Sequence, residues 1–502
     1  QLFILYNFQT MINTLLFWIV RIDGSLDTLD RCYTIEVFRN DVIVGGSYGN
    51  NMFLARLNGL DGSIKWQKIL SFSGYGRNSI KVIRIDPLDS NLAVAGTVYP
   101  FSNSSTPCGY IAKFRSDNGN LIWQYIDDDN GSCGSGWPIR TDRYGFSDLI
   151  IGPDNNYYAV GSDWEIWYDG AFSNSGRYIV KVNRATGQRI FRSVPGGFMY
   201  KRVKSVDNNS VIAVGHGNRG EVQKFNINDG SQIWSITYSD NSRIYALDKL
   251  LNGNVVVGGW KNNDFYVGII NNNNGSIIGE WTKNGANNSL DVLNDLITIG
   301  NDIYAVGFLN NGFTSNDAYL VKLNQSLNVV WQKTYNKIPN SNDYFLKIKK
   351  TIDNKILVGG VIENSFTKGN LVIYKIEPTN GDTIYTYEYD YNGLLDIAMD
   401  FKDINDTLYA CGISYSTTNN ADIVIIKWNK PVNISENVGN LGFVLNGNSL
   451  KFLSDGNFEI WTIDGKLLKK FNVKKGQILN LKDGIYIIKF NSKVSKIVIR
   501  KP

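Results

Sequence analysis

One short phrase returns eight times along the chain: two or three apolar residues, then a pair of small residues ending in glycine. It reads VIVGG, LAVAG, YYAVG, VIAVG, VVVGG, IYAVG, ILVGG and LYACG, closing on Gly46, Gly96, Gly161, Gly215, Gly259, Gly307, Gly360 and Gly412. Successive closures lie 44 to 65 residues apart, too far for a helical solenoid unit and suited to the four-stranded blade of a propeller. After each closure comes an alternating strand, a turn rich in Asn, Asp and Gly, and a strand bearing an aromatic: Trp66, Trp123, Phe191, Trp234, Trp281, Trp331 and Tyr385. Such turns reach the left-handed conformations that tight hairpins need, so each unit reads as a meander of four short antiparallel strands.

The ends of the array predict how the ring closes. The last unit supplies LLDIAMDFKD, TLYACG and DIVIIKWN but no aromatic strand, whereas LLFWIVRI near the N-terminus offers Trp18 in that place. One blade built from both ends ties a ring shut. The expected fold is all-β: an eight-bladed β-propeller with three-plus-one closure of the last blade, followed by a small immunoglobulin-like β-sandwich. The expected domains are an N-terminal strand extension over 1–12, the propeller over 13–431, a linker over 432–440 and the sandwich over 441–502.

Residues 1–20 interrupt their apolar character with Gln, Asn and Thr, which makes a poor membrane helix, and they lack the basic start and cleavage site of a signal peptide. No transmembrane segment is expected, and the start at Gln1 suggests processing. Within LFILYNF, Leu2, Ile4, Tyr6 and Phe8 alternate with Phe3 and Leu5. A strand apolar on both faces is normally buried on both, so this one is expected to dock in a groove of its own molecule or of a neighbour.

Charge divides along the domain line. Of the chain's net +5, residues 437–502 contribute +8, leaving −3 for the rest. The basic tail reads as a solvated face of alternating strands, and no interleaving of basic and aromatic residues points to nucleic acid.

The segment from Asn457 to Lys501 contains Ile463-Asp464-Gly465-Lys466-Leu467, Lys482-Asp483-Gly484-Ile485-Tyr486-Ile487 and a terminal Lys496-Ile497-Val498-Ile499-Arg500-Lys501. It resembles the type A C-terminal sorting domain of proteins exported by the type IX secretion system. That resemblance implies a small immunoglobulin-like sandwich that engages the secretion machinery, an extracellular or cell-surface location across an outer membrane, and frequent cleavage of the domain on arrival. The strand-turn-Trp phrase, as in KLNQSLNVVWQKTY, is similar to the repeat of quinoprotein-like propellers, a repeat shared by many non-enzymatic secreted propellers. The quinoprotein enzymes place an adjacent-cysteine disulfide, a calcium ion and a catalytic Asp at the ring centre, and this chain has no neighbouring cysteine pair.

Four cysteines are present. Cys108 and Cys133 sit in polar loops flanking the outer strands of one blade and suit an exposed disulfide in an oxidising compartment. Cys32 and Cys411 fall in the first and last blades, where they either bond across the closure or stay as small buried hydrophobes. The only histidine, His216, follows a repeat glycine at a position that elsewhere holds Ser, Thr, Trp, Phe, Val or Ile, so it reads as a strand-end residue. Zinc and histidine-triad chemistry have no ligands or base to work with. The acidic runs Asp127-Asp128-Asp129 and Asp163-Trp164-Glu165 read as solvated or as pointing to opposite strand faces, and the Asp/Asn turns match no calcium loop. No catalytic, metal or cofactor site is expected.

Two long insertions, YPFSNSSTPCGY and DWEIWYDGAFSNSGRY, enter between the second and third strands of blades two and three, at one end of the ring. Trp164, Trp167 and Tyr168 in the latter suit contact with a sugar or a protein, or pack on their own blade. The functional expectation is an exported surface protein acting by binding or assembly, its N-terminal strand and C-terminal domain linking copies into a filament or array. The alternatives are a monomeric adhesin- or lectin-like propeller and, less supported, a quinoprotein-like or carbohydrate-active enzyme.

Overall fold

The computed structural model describes residues 5–7, 18–23, 29–74, 76–99, 107–128, 145–162, 177–195, 199–217, 219–312, 315–364, 367–405, 407–418, 420–429, 443–446, 449–462, 467–480, 484–490 and 493–499. Among these, every regular element is a strand. Seven four-stranded sheets and one five-stranded sheet follow one another along the chain as the eight blades of a propeller. The innermost strands, in order, are Arg31–Phe38, Ser79–Ile85, Phe146–Ile151, Met199–Ser205, Ser242–Lys249, Val292–Ile299, Tyr344–Lys350 and Asp396–Ile404. Each neighbours the innermost strand of the next blade, and the last neighbours the first.

The eighth sheet holds Asp396–Ile404, Thr407–Tyr415, Ala421–Asn429, then Trp18–Ile22, and finally Leu5–Asn7 as a fifth strand at the rim. The N-terminal strand, read from sequence as a candidate donor to a neighbouring molecule, thus has a pairing partner in its own chain. Hydrogen bonds also join this blade to the first: the Ile35 N–H donates to Asp400 Oδ2 at 3.0 Å and Lys427 Nζ donates to the Gly59 carbonyl at 2.6 Å.

Both repeated phrases have a steric origin. The second strand of each blade is wedged between two neighbouring blades, so Leu92–Val98 and Ser210–His216 are buried along their whole length. Burial on both faces demands continuous apolar or small residues rather than alternation. The closing glycine faces a β-bulge in the innermost strand, where the ladder slips by one residue; in blade 6 the slip lies between Leu293 and Asp295, opposite Gly307. A Cβ on Gly307 would stand 1.8 Å from the Val292 carbonyl oxygen, and all eight repeat glycines meet the equivalent backbone oxygen at 1.8–2.2 Å.

The aromatic phrase locks one blade to the next. Trp123 Nε1 donates to the Arg184 carbonyl at 3.1 Å, Trp234 Nε1 to Asn272 at 3.0 Å and Trp331 Nε1 to Pro378 at 3.0 Å, each acceptor lying in the outer turn of the following blade. A buried cation of the third strand reaches the same carbonyls, as Lys224 does at Asn272 (2.9 Å). At Gly187, whose φ is +72°, a side chain would also strike the Trp123 ring at 2.4 Å. The apolar core is accordingly a series of inter-blade layers, such as Tyr304, Val306 and Leu320 of blade 6 against Phe345, Ile348 and Val358 of blade 7.

Trp428–Pro502, together with Tyr6–Trp18, forms the second of two compact units. It contains a three-stranded sheet, Phe443–Asn446, Ser449–Phe452 and Ile478–Asn480, and a four-stranded sheet in the order Leu467–Val473, Gly456–Thr462, Gly484–Phe490, Lys493–Ile499. Phe452 of the first sheet meets Phe458 of the second edge to face, with ring centroids 4.8 Å apart.

Candidate functional site

The bulges shape the middle of the ring. A bulge leaves one residue unpaired and turns its strand, so consecutive side chains reach the axis where a regular strand would send them to opposite faces. Lys81 with Val82 and Ser147 with Asp148 are such pairs, and all four line an axial cavity of about 190 Å³. The same cavity is lined by Arg84, Arg202, Asp295, Lys347, Lys349 and Asp400.

Two buried carboxylates, Asp148 and Asp400, and the half-buried Asp295 organise this layer by clamping neighbouring blades. Asp148 Oδ2 accepts the Val203 N–H at 3.1 Å, Asp295 Oδ2 accepts Ile348 N–H at 3.2 Å, and Asp400 Oδ2 accepts Ile35 N–H. In blade 1 the Thr34 hydroxyl plays this part for the Ile83 N–H at 3.3 Å. The carboxylates also hold cations: Lys347 and Lys349 lie 3.1 and 2.5 Å from Asp400, and Arg84 lies 3.3 Å from Asp148. Burial opposes ionisation of Asp400, but Lys347 and Lys349 outweigh it and hold the carboxyl well below its ordinary value. For Asp295 burial prevails over Arg202 and Lys347, and its value is raised. Burial also lowers the ammonium of Lys347 despite Asp400 beside it.

Toward the end at which the innermost strands begin, cations from several blades gather. Arg31, Lys81, Lys201 and Arg243 come from blades 1, 2, 4 and 5, and Arg77 precedes the innermost strand of blade 2. Lys81 Nζ stands 3.5 Å above the Tyr33 ring, and Arg31 donates to the Tyr33 hydroxyl at 3.5 Å. Burial and the charges of Arg202, Lys81 and Arg243 push Lys201 down to about 8. His216 ends the second strand of blade 4 as a buried residue packed edge-on to Tyr245, and burial with Lys201 and Arg243 pushes it down to about 3, leaving it neutral at physiological pH. Its sequence reading as a strand-end residue agrees with this placement.

The other sequence-derived candidates fall elsewhere. Cys32 and Cys411 are free, buried thiols, so the bond considered across the closure does not form. Burial raises the Cys411 thiol well above its ordinary value, and Cys32 Sγ donates to the Thr34 carbonyl at 3.6 Å. Cys108 is disulfide-bonded, and its expected partner Cys133 lies outside the described residues. Also outside them are Leu2, Phe3, Ile4, Phe8, Trp164, Trp167, Tyr168, Asp464, Gly465, Lys466 and Arg500. Leu5 and Tyr6 belong to the rim strand, Gly484, Ile485 and Tyr486 open the strand Gly484–Phe490, and Lys496 lies in Lys493–Ile499. Asp127 of the acidic run is buried against Arg192 Nε at 2.9 Å, a structural pairing. Among the described residues no three His, Cys, Asp or Glu side chains converge as metal ligands.

The axial residues were not singled out by sequence. A signal existed: Asp148, Arg202, Asp295, Lys347 and Asp400 each precede a repeat glycine by 12 or 13 positions.

No protein-family model matches the chain, and no curated protein matches it. Among solved structures it is similar to the C-terminal WD40 domain of Sif2, at 10% identity over 84% of this chain and 98% of that one, with a TM-score of 0.52. It is likewise similar to Chaetomium thermophilum Sqt1 bound to the N-terminus of the ribosomal protein L10, at 10% identity over 82% and 98%, with a TM-score of 0.51. Quinohemoprotein alcohol dehydrogenase from Comamonas testosteroni matches at 8% identity over 81% and 75%, with a TM-score of 0.48. At such identities the likeness is one of fold, the all-β eight-bladed propeller.

Proposed function

We propose that the protein is an exported, cell-surface binding protein, adhesin- or lectin-like, whose propeller recognises a ligand at one end of its axis without catalysing a reaction on it. In this reading the C-terminal unit is an immunoglobulin-like sorting domain of the type IX secretion system, and the three-plus-one closure keeps the ring rigid outside the cell. The observation that carries the reading is the gathering of Arg31, Lys81, Lys201 and Arg243 at the start of the innermost strands. A built site of this kind suits ligand capture.

For the filament reading, Leu5–Asn7 pairs on one side within its own blade, which leaves the outer edge of that strand for a neighbour. Light scattering of the full chain and of a chain lacking residues 1–10 tests this point. Monomers in both samples are expected; an oligomer of the full chain that the deletion abolishes would favour the filament. The address is tested separately, by expressing the full chain and a chain ending at residue 431 in a bacterium with a type IX system. Secretion of the full chain alone is expected, and equal secretion of both would refute the sorting role.

A further inference from the structure

Charge along the axis changes with level. Toward the far end of the innermost strands Lys402 pairs with Glu36 and Lys204 with Asp248. In the middle, Lys347, Lys349 and Arg84 are matched by Asp400 and Asp148. At the entrance, Arg31, Arg77, Lys81 and Arg243 make no ion pair with a described carboxylate, although they stand close enough to act on one another through Lys81 and Lys201. Arg31 Nε and Arg77 Nε are also buried without a hydrogen-bond partner among the described residues. Burial opposes ionisation of the Tyr33 hydroxyl, yet Lys81 and Arg31 prevail and bring it below its ordinary value.

Crowding cations without counter-charge among the described residues destabilises a fold, and stranded guanidinium N–H groups add to the cost. Both are relieved by one event, the arrival of an oxyanion. Aromatic groups border the same cations: Tyr33 lies beneath Lys81, Arg243 Cζ is 5.6 Å from the Trp260 ring centre, and Trp260 Nε1 donates to the Tyr245 hydroxyl at 3.2 Å. Cations beside half-buried tyrosines suit a ligand that carries both an anion and an apolar ring face. Lys81 also lines the axial cavity, whose 190 Å³ equals the liquid volume of about six waters, the scale of one sugar residue and not of a polymer passing through.

We propose that the entrance of the axial cavity is an oxyanion site that seats the acidic group at the end of an anionic saccharide, with Arg31 and Lys81 holding the oxyanion and Tyr33 facing the ring. This ligand assignment rests on the reading of the protein as a surface binder. It also makes Lys81 a residue whose charge serves the ligand at the expense of the empty fold.

Calorimetric titration of the full chain at low salt, with sodium glucuronate, glucose and sodium sulfate as probes, tests the proposal. Glucuronate should bind, with an affinity that falls as salt is raised, glucose should not bind, and sulfate should bind at least about tenfold more weakly than glucuronate. Lys81→Gln should weaken glucuronate at least about tenfold while raising the melting temperature of the unliganded protein, a combination that a merely structural lysine would not give. Absence of glucuronate binding, or a Lys81→Gln variant that binds as well as the parent, overturns the site. Sulfate binding as tight as glucuronate overturns the saccharide assignment in favour of a free anion. None of these readouts depends on export or oligomeric state, so a failed titration removes the ligand, whereas the surface-protein reading fails on the secretion and scattering experiments.

Discussion

Replacing Gly307 with alanine should damage the ring far more than a methyl group ordinarily does. Its added Cβ would lie 1.8 Å from the Val292 oxygen and 2.9 Å from the Val292 carbonyl carbon, so the bulge must retreat by more than about 1 Å to reach ordinary contact. The bulge is tethered to blade 7 in two places: Asn294 Nδ2 donates to the Phe345 carbonyl at 2.7 Å and Asp295 Oδ2 accepts the Ile348 N–H. Overpacking costs about 1–3 kcal/mol, and losing two partly buried hydrogen bonds adds about 1 kcal/mol each, giving a destabilisation of about 3–5 kcal/mol. Gly279→Ala is the matched control, since its nearest neighbour is the flexible Leu327 Cδ1 at 3.2 Å, and it should stay within about 1 kcal/mol of the parent. Urea titration followed by tryptophan fluorescence gives both values. Hydrogen exchange of Gly307→Ala should show early opening at blades 6 and 7, as expected when each repeat leans on its neighbours. A Gly307→Ala variant as stable as Gly279→Ala would show that the recurring glycine is not a steric requirement of the bulge.

Two further outcomes follow from buried groups. Burial pushes Asp396 up to about 7, above its unfolded value near 4, so its contribution to stability is complete below about pH 4 and is lost as pH rises through 7. Asp396→Asn should therefore flatten the stability profile between pH 4 and 7 and exceed the parent at pH 8 by about 2–4 kcal/mol; urea midpoints that track the parent at every pH would refute this. Cys32 and Cys411 are fully buried free thiols and Cys108 is bonded, so a thiol reagent should find no reactive group in the native protein and two after unfolding without reductant. Four thiols would remove the disulfide, and none would place a bond between Cys32 and Cys411.

The features legible in the sequence are those imposed identically on every blade. A backbone oxygen pressing on Gly46 presses equally on Gly412, and a tryptophan seated on the next turn must return in each unit, so steric demand becomes a written period. The axial layer carries no such period in residue type, because closure does not fix which side chain fills it: the position held by Asp148 in blade 3 is Arg202 in blade 4 and Ala246 in blade 5. Lys81 in SIKVIRI and Lys201 in MYKRVKS also pass for the solvent face of alternating strands. The bulge defeats that rule by shifting the parity of the strand within one residue, so Ser147 and Asp148 both line the cavity where alternation assigns them to opposite faces. The repeat glycine, legible from the start, is what marks the bulge. A parity change one residue before each carboxylate-bearing position can thus be placed by counting back 12 or 13 residues from Gly161, Gly307 and Gly412, and the charges found there belong to the axis.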